Sequence, residues 1–384
     1  MVKKLLALLV LVSLFGFGTA QEPIRIGVNL ELSGRFATIG NATLQGIEGA
    51  LQQMPTIDGR PVELSVCDNQ TTPEGSINCA SRFIDEGVVA VLGAISTTMS
   101  IAAAEPLQEA GIIMISTSST NPATTQIGDH IFRMAYTDDF QGKVAARYAT
   151  DDLGASRAVV FRQQDDDYSF GLAGFFAEEF EALGGETITL DYVSNTVDFS
   201  AQINDARGFG ADVIYFSGFC AEGASLMPQL RQQGFDQQIL GADASDDSQC
   251  PVGGGEAFDG FVFTGFGGPE VLSGDAAARA TEFASFFSVA FPDASDFNGF
   301  TLAGADSFNV IAEAIDQAGT DEGDAVLAEL ASLEGFPGVS GEITYAGTDG
   351  TPADRTIAFF QYQVPGADGA EWSSTSLFGL GTGE

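Results

Sequence analysis

Two rhythms of apolar residues alternate along the chain. Short runs rich in Val and Ile recur, and between them lie longer windows whose apolar positions return at helical spacing. The first is the mark of a buried strand and the second of an amphipathic helix. Strands are predicted over Ile24–Asn29, Val62–Cys67, Val88–Leu92 and Ile112–Ile115, with helices between them over Ile39–Gln53, Pro73–Glu86 and Ser100–Ala110. The cycle restarts with strands at Ala158–Phe161, Thr187–Val193, Val213–Ser217 and Ile239–Gly241, separated by helices at Phe170–Leu183, Phe199–Arg207 and Ala224–Gln233. A Gly/Asp/Ser-rich loop through Gly255 follows, then helices near Ala276–Phe291 and Leu302–Ala318, and late strands at Ile343–Tyr345 and Ile357–Gln363. Near-continuous apolar strands alternating with helices mean parallel sheets covered on both faces. Two such cycles predict an α/β protein of two Rossmann-like lobes, and the length also exceeds what one core fills. The Ser/Gly-rich tail 373–384 is expected to be loose.

The first residues change the picture. Met1-Val2-Lys3-Lys4, an apolar run from Leu5 to Phe17 and Gly18-Thr19-Ala20 have the three parts of a secretory leader. Cleavage is expected after Ala20, with the product released outside the cytoplasm. The run is short for a span of roughly 20 residues, and no later stretch is apolar enough to cross a bilayer.

The formal net charge is −38, and removing Lys3 and Lys4 leaves Lys143 as the sole lysine. Such a surface repels nucleic acid and anionic lipid, which excludes both as partners. The acids are scattered among folded-protein apolar content, so disorder is also excluded. Abundant Asp with almost no Lys suits a high-salt medium, where screening quenches self-repulsion. Molar salt is then expected to raise thermal stability, and a falling Tm on salt addition would contradict that reading. Four cysteines in an exported chain imply two disulfides, with the local pairings Cys67–Cys79 and Cys220–Cys250 favoured among three connectivities.

Catalytic chemistry is thin. The only histidine, His130, has no Ser or Cys nucleophile motif to serve, and no phosphate- or dinucleotide-binding glycine motif follows a strand. The Gly253-Gly254-Gly255 triplet reads as loop. Asp165-Asp166-Asp167 and Asp243…Asp246-Asp247 lack the spaced oxygens of a calcium loop, so neither metal nor cofactor is expected, and the first cluster suits a helix start. What remains lies at two strand–helix turns. Ser96-Thr97-Thr98 follows one strand and Ser116-Thr117-Ser118-Ser119-Thr120 the next. Small hydroxyl residues beside free helix-terminal amides either cap those helices or cradle a carboxylate, with Ser96, Thr97, Ser118, Ser119 and Thr120 as the candidates.

These segments resemble the periplasmic leucine/isoleucine/valine-binding family, the branched-chain amino acid receptors of ABC importers. Ile24-Arg25-Ile26-Gly27-Val28 with Leu32-Ser33-Gly34 resembles its opening, and Ser118-Ser119-Thr120-Asn121-Pro122 its second strand–turn segment. Asp139-Phe140-Gln141-Gly142, Asp198-Phe199-Ser200 and Tyr215-Phe216-Ser217-Gly218-Phe219 are similar to later signatures in matching order. The resemblance implies a type I periplasmic-binding fold with a three-segment hinge, crossing near Asp138, Thr264 and Gly341. Lobe 1 is then 21–138 plus 265–340 and lobe 2 is 139–264 plus 341–372.

It implies a non-enzymatic, monomeric periplasmic protein that closes on an amino acid and is read by a membrane permease. Thr97 would bind the ligand carboxylate, the Ser118 carbonyl the ammonium, and Thr120 both. Tyr168 would cover the ligand, Asp243 pair with its ammonium, and Phe219 line the second lobe. Three positions depart from the pattern: Asp243 stands for Glu, Phe219 for Tyr, and Ile39 for a frequent aromatic, while Phe300 is expected on the far wall. Related receptors bind small amides, urea or carboxylates, some as sensors reporting to a regulator, which keeps a second function in view.

Overall fold

The consecutive residues Ile26, Gly27, Val28, Asn29 and Leu30 are all buried, and since neighbours along a strand face opposite sides, this is the centre of a sheet covered on both faces. A computed structural model describes residues 22–294, 297–353, 355–363 and, as backbone, 373–381. The expected leader 1–20 lies outside these residues. The first sheet is built from β1 (Ile24–Leu30), α1 (Ala37–Gln53), β2 (Thr56–Ile57), β3 (Arg60–Asp68), α2 (Pro73–Glu86), β4 (Ala90–Gly93), α3 (Thr97–Ala110), β5 (Ile113–Ser116) and β6 (Ile131–Arg133). Its strand order is β2-β3-β1-β4-β5-β6, parallel except for β2.

The chain then enters a second unit: α4 (Asp138–Arg147), β7 (Arg157–Gln163), α5 (Asp167–Ala182), β8 (Glu186–Tyr192), α6 (Ser200–Phe209), β9 (Val213–Phe216), α7 (Cys220–Gln232), β10 (Gln238–Gly241), α8 (Gln249–Gly254) and β11 (Val262–Gly265). It returns to the first unit with α9 (Gly274–Ala290), α10 (Gly299–Ala318), α11 (Gly323–Ala331) and the hairpin β12 (Phe336–Gly338) with β13 (Gly341–Ile343). β14 (Thr356–Gln363) and β15 (Ser373–Gly381) complete the second sheet, ordered β15-β14-β11-β10-β9-β7-β8. The two-lobed α/β fold read from the alternation is what the chain adopts.

Three expectations need correction. The tail 373–384 is not loose over Ser373–Gly381, which pairs antiparallel with β14. The open edge of β14 supplies a ladder of backbone partners that Ser/Gly-rich composition does not announce. Residues from Gly341 do not pass at once to the second lobe. The Tyr345 ring packs edge-on against Phe132 at 5.1 Å, its hydroxyl donates to the Arg133 carbonyl at 2.8 Å, and the Arg133 amide donates to Gly350 at 2.9 Å. Burying that large ring on β6 keeps the segment on the first sheet, and the chain is found in the second sheet again only with β14, from Thr356. Gly253 and Gly254, read as loop, end the short helix α8.

Both favoured disulfides form: Cys67–Cys79 ties the end of β3 to α2, and Cys220–Cys250 ties α7 to α8. On the first lobe, α1 and α10 cross so closely that a Cβ on Gly46 would meet the Thr301 carbonyl oxygen. The capping box of Asn298 with Thr301 fixes where α10 begins, and so sets Phe300 at the interlobe cleft.

Candidate functional site

Six turns converge at the carboxyl ends of the parallel strands, the edge where open α/β sheets hold ligands. The first lobe contributes the turns after β1, β4 and β5, and the second those after β7, β9 and β10. After β4 the turn is tight. Gly93 has φ +111°, and a Cβ there would strike the Asn29 carbonyl. This turn brings Ile95, Ser96 and Thr97 into the cleft.

At the start of α3 the N-cap Ser96 makes no capping bond, so the first-turn amides beyond it have no side-chain cap. The Ser96 hydroxyl instead donates to Glu31 at 2.7 Å, and the amides of Ile95 (3.1 Å) and Ser96 (3.0 Å) reach the same carboxylate. Glu31 is 0% exposed. Burial pushes its carboxyl upward, and the bonds from Ser96 and Ile95 oppose that. It acts as a buried brace fixing the β4 turn to the β1 turn.

Ser118 and Thr120 enter the cleft from the neighbouring turn. The Ser118 hydroxyl donates to the Ile95 carbonyl at 3.2 Å, joining the two turns. Ser119, expected at the pocket, faces behind it. Its hydroxyl donates to Thr97 Oγ1 at 3.2 Å and shares a 2.7 Å bond with Thr124. Because Thr97 accepts that bond, its own hydroxyl hydrogen remains to donate into the cleft. Arg133, wholly buried, holds the turn from below through bonds to the Ser119 carbonyl (3.1 Å), the Pro122 carbonyl (3.2 Å) and the Thr125 hydroxyl (3.1 Å).

On the second lobe Asp166, not Asp165 or Asp167, caps α5 by accepting from the Ser169 amide at 3.0 Å. The first turn of α5 presents Tyr168, whose hydroxyl donates to Asp243 Oδ1 at 2.7 Å. Gln141 Nε2 donates to the same oxygen at 2.8 Å and to Thr264 at 2.7 Å. Asp243 is 4% exposed, and burial raises its carboxyl to about 6 against the pull of Tyr168 and Gln141. Charge repulsion links it to the fully buried Asp138, also pushed well up, chiefly by burial.

Apolar walls complete the pocket. Phe219 stacks tilted on Phe36 from the opposite lobe at 4.6 Å between centroids, and on Tyr168 at 5.5 Å. Ile39, Ile95, Ala244 and Phe300 line the rest of about 390 Å³, counted to the open mouth. Thus Ile39, Ser96, Thr97, Ser118, Thr120, Tyr168, Phe219, Asp243 and Phe300 all meet around one cavity, and Ser119 supports it. Phe36, Ile95, Ala244, Glu31 and Gln141 were not foreseen. The strand-end rule that selected the β4 and β5 turns applies equally to the β1 turn, so Glu31 and Phe36 were within its reach. Gln141 approaches from α4 and carries no comparable signal. Among the described residues, no cluster of His, Cys, Asp and Glu is arranged to hold a metal, and no helix is long and apolar enough to cross a membrane.

The profile of the periplasmic binding protein family matches residues 23–370. The chain belongs to that family. Leu/Ile/Val-binding protein homolog 3 of Brucella melitensis is 27% identical, covering 90% of this chain and 93% of its own. The leucine-binding protein LivK of Thermotoga maritima is 31% identical with a TM-score of 0.86, covering 93% of this chain and 98% of its own. The resemblance to the leucine/isoleucine/valine-binding family therefore stands. A Rhodopseudomonas palustris solute-binding protein solved with 4-hydroxybenzoate superposes with a TM-score of 0.82 at 18% identity, covering 94% and 97%, a likeness of fold alone. This periplasmic binding protein is of the ABC-transporter type, and members of its family bind solutes without transforming them.

The Cys220–Cys250 bridge starts one residue from Phe219 and anchors the segment that follows Asp243. Replacing both cysteines by Ser is expected to weaken ligand binding severalfold. Replacing Cys67 and Cys79 should cost about 3 kcal/mol of stability by loop-closure entropy and leave Kd within twofold. Calorimetric titration of the two variants checks this, and equal binding losses in both would refute a local role for Cys220–Cys250.

Proposed function

We propose that the protein captures an α-amino acid with an aliphatic side chain outside the cytoplasm, as a monomer, and delivers it to the permease of an ABC importer. The observation that carries this reading is Asp243. A buried carboxylate on one lobe shares an otherwise apolar pocket with an uncapped helix start and Thr97, Ser118 and Thr120 on the other. A zwitterion matches that division of charge. Its carboxylate takes the α3 amides with Thr97 and Thr120, and its ammonium takes Asp243, Thr120 and the Ser118 carbonyl. The side chain lies against Phe36, Ile39, Ile95, Phe219 and Phe300. Asp243 is one methylene shorter than Glu, so the ammonium sits nearer the second lobe.

One observation favours a second reading. Asp243 already has two donors, and burial raises its carboxyl to about 6. In the protonated form it tolerates a ligand without a cation, such as a small carboxylate, amide or urea. A sensor reporting to a regulator shares this pocket, and neighbouring permease and ATPase genes would distinguish the importer.

The test is a thermal-shift panel on refolded, ligand-stripped protein with the twenty amino acids, short amides, urea and small carboxylates. Ligand at about 1,000 times its Kd adds roughly 4 kcal/mol, a rise of several degrees in Tm. A shift with Leu, Ile or Val is the expected result. A shift confined to carboxylates or amides would sink the amino-acid assignment.

A further inference from the structure

Arg35 stands in the turn after β1, on the first lobe, yet all its charged partners are on the second. Its guanidinium lies 3.6 Å from Asp166 Oδ2 and 3.7 Å from Glu222 Oε1, and donates to Gln163 Oε1 at 3.3 Å. Among the described residues these are the only ion pairs that bridge the two lobes. The Arg35 side chain is 20% exposed, against 3% for Asp166 and 1% for Glu222. Neither acid has another cation within ion-pair distance among the described residues. The guanidinium also lies over the Phe36 ring at 4.5 Å and the Phe219 ring at 4.6 Å. Those two rings meet across the cleft and line the pocket; Arg35 does not line it.

We propose that Arg35 is a cross-cleft latch, a positioning residue that leaves the ligand untouched, pins the Phe36–Phe219 roof over it and sets how long it stays bound. The geometry makes the device specific to the closed state. Every Arg35 partner except Phe36 is on the far lobe, so parting the lobes breaks the two ion pairs, the Gln163 bond and the Phe219 contact together. An always-charged guanidinium with several N–H groups suits this place, because it can sit between two acids while lying against the edge where the two aromatic rings meet. Thr98 with Asp167, and Asn121 with the Asp167 carbonyl, close another edge of the mouth at 3.0 and 2.8 Å. Those contacts are neutral–acid or neutral–neutral and do not touch the roof, so the charged bridge is where closure is most easily loosened.

A latch acts after capture. Arg35→Ala should raise the dissociation rate about 10- to 100-fold, at or below the low end for removing one partner of a fully buried charge pair because the guanidinium is itself partly exposed, and leave the association rate within about threefold. Stopped-flow with leucine as probe measures both rates, and a ligand-free Tm near wild type shows that folding is intact. Arg35→Lys keeps the charge without the planar fork and should fall between. Because the ion pair to Glu222 is part of the latch, Glu222→Gln should add little to Arg35→Ala in the double variant.

An unchanged dissociation rate, a loss carried by association, or full additivity with Glu222→Gln would each overturn the latch. If Arg35→Ala does not fold, Arg35→Met, which keeps the apolar stem, takes its place. Only the choice of probe rests on the amino-acid reading. If leucine does not bind the wild type, that reading fails by itself, and the same comparison of rates is made with the panel compound that raises Tm.

Discussion

Asp243→Asn is expected to abolish amino-acid capture and at the same time make the ligand-free protein more stable. The two effects have one cause. Asp243 is buried, and its carboxyl sits at about 6 because desolvation outweighs the bonds from Tyr168 and Gln141. Raised from 3.8 to about 6, the group binds a proton more tightly folded than unfolded. Its charge therefore costs nothing below the unfolded value, costs progressively more as pH rises from about 4 to 6, and costs the full amount above. At about 1.4 kcal/mol per unit the full penalty is on the order of 3 kcal/mol.

Asn keeps an oxygen for the Tyr168 hydroxyl and the Gln141 amide and removes the charge. Less the weakening of those bonds, a gain on the order of 1–3 kcal/mol is expected at pH 7, vanishing near pH 4. Binding should fall at least 100-fold, because a ligand ammonium then meets an amide in a dry pocket. In the wild type, affinity should drop towards tenfold per pH unit below about 6, as capture must first strip the proton from Asp243. Denaturant melts of the ligand-free variant at pH 4 and 7, with calorimetric titration across that range, read all three quantities. Full-strength binding by Asp243→Asn, or affinity flat down to pH 4.5, would remove Asp243 from the ammonium site.

Gly46→Ala is expected to reverse the usual sign of a helix substitution. In an exposed helix interior, Gly to Ala gains up to about 1 kcal/mol from propensity. At Gly46 the added methyl would meet the carbonyl oxygen of Thr301 on α10, and backbone cannot turn aside as a flexible side chain does. Separating two packed helices costs typically 1–3 kcal/mol and more when backbone must move. A net loss of about 2 kcal/mol is expected, with Gly46→Val losing more. Gly174 in the middle of α5 is the control, since nothing lies within 4 Å of a Cβ there. Ala at that position should be neutral or stabilising. Thermal melts of the three variants decide it, and a stabilised Gly46→Ala would mean that α1 and α10 do not approach as closely as described. The loss should extend to binding, because α1 and α10 set the positions of Ile39 and Phe300.

Local pattern was enough to determine much of this protein. The alternation of apolar strands with helical windows is a property of consecutive residues, and it yielded parallel sheets in two lobes. Parallel sheets in turn assign ligands to the strand ends, which is why Thr97, Ser118 and Thr120 are legible in the sequence as candidates to line the cavity. The pairing Cys220–Cys250 followed from proximity in sequence, and the positions of Tyr168, Phe219 and Asp243 from resemblance over the whole chain. Two errors arose where sequence signals and tertiary contacts disagree. Ser373–Gly381 looks like a tail and is a strand, because an open edge supplies what its composition lacks. The segment from Gly341 stays on the first lobe because Tyr345 finds a buried seat on β6.

Other features lie wholly beyond local pattern. That Ser119 turns behind the pocket and orients Thr97, that Gln141 reaches Asp243 across 102 positions, and that Arg35 meets Glu222 on the opposite lobe depend on residues far apart in the chain. Such contacts exist only once the sheets are formed and the lobes meet. Burial then decides their chemistry, since a carboxyl that would ionise freely in water is held near 6 by a pocket assembled from six separate turns.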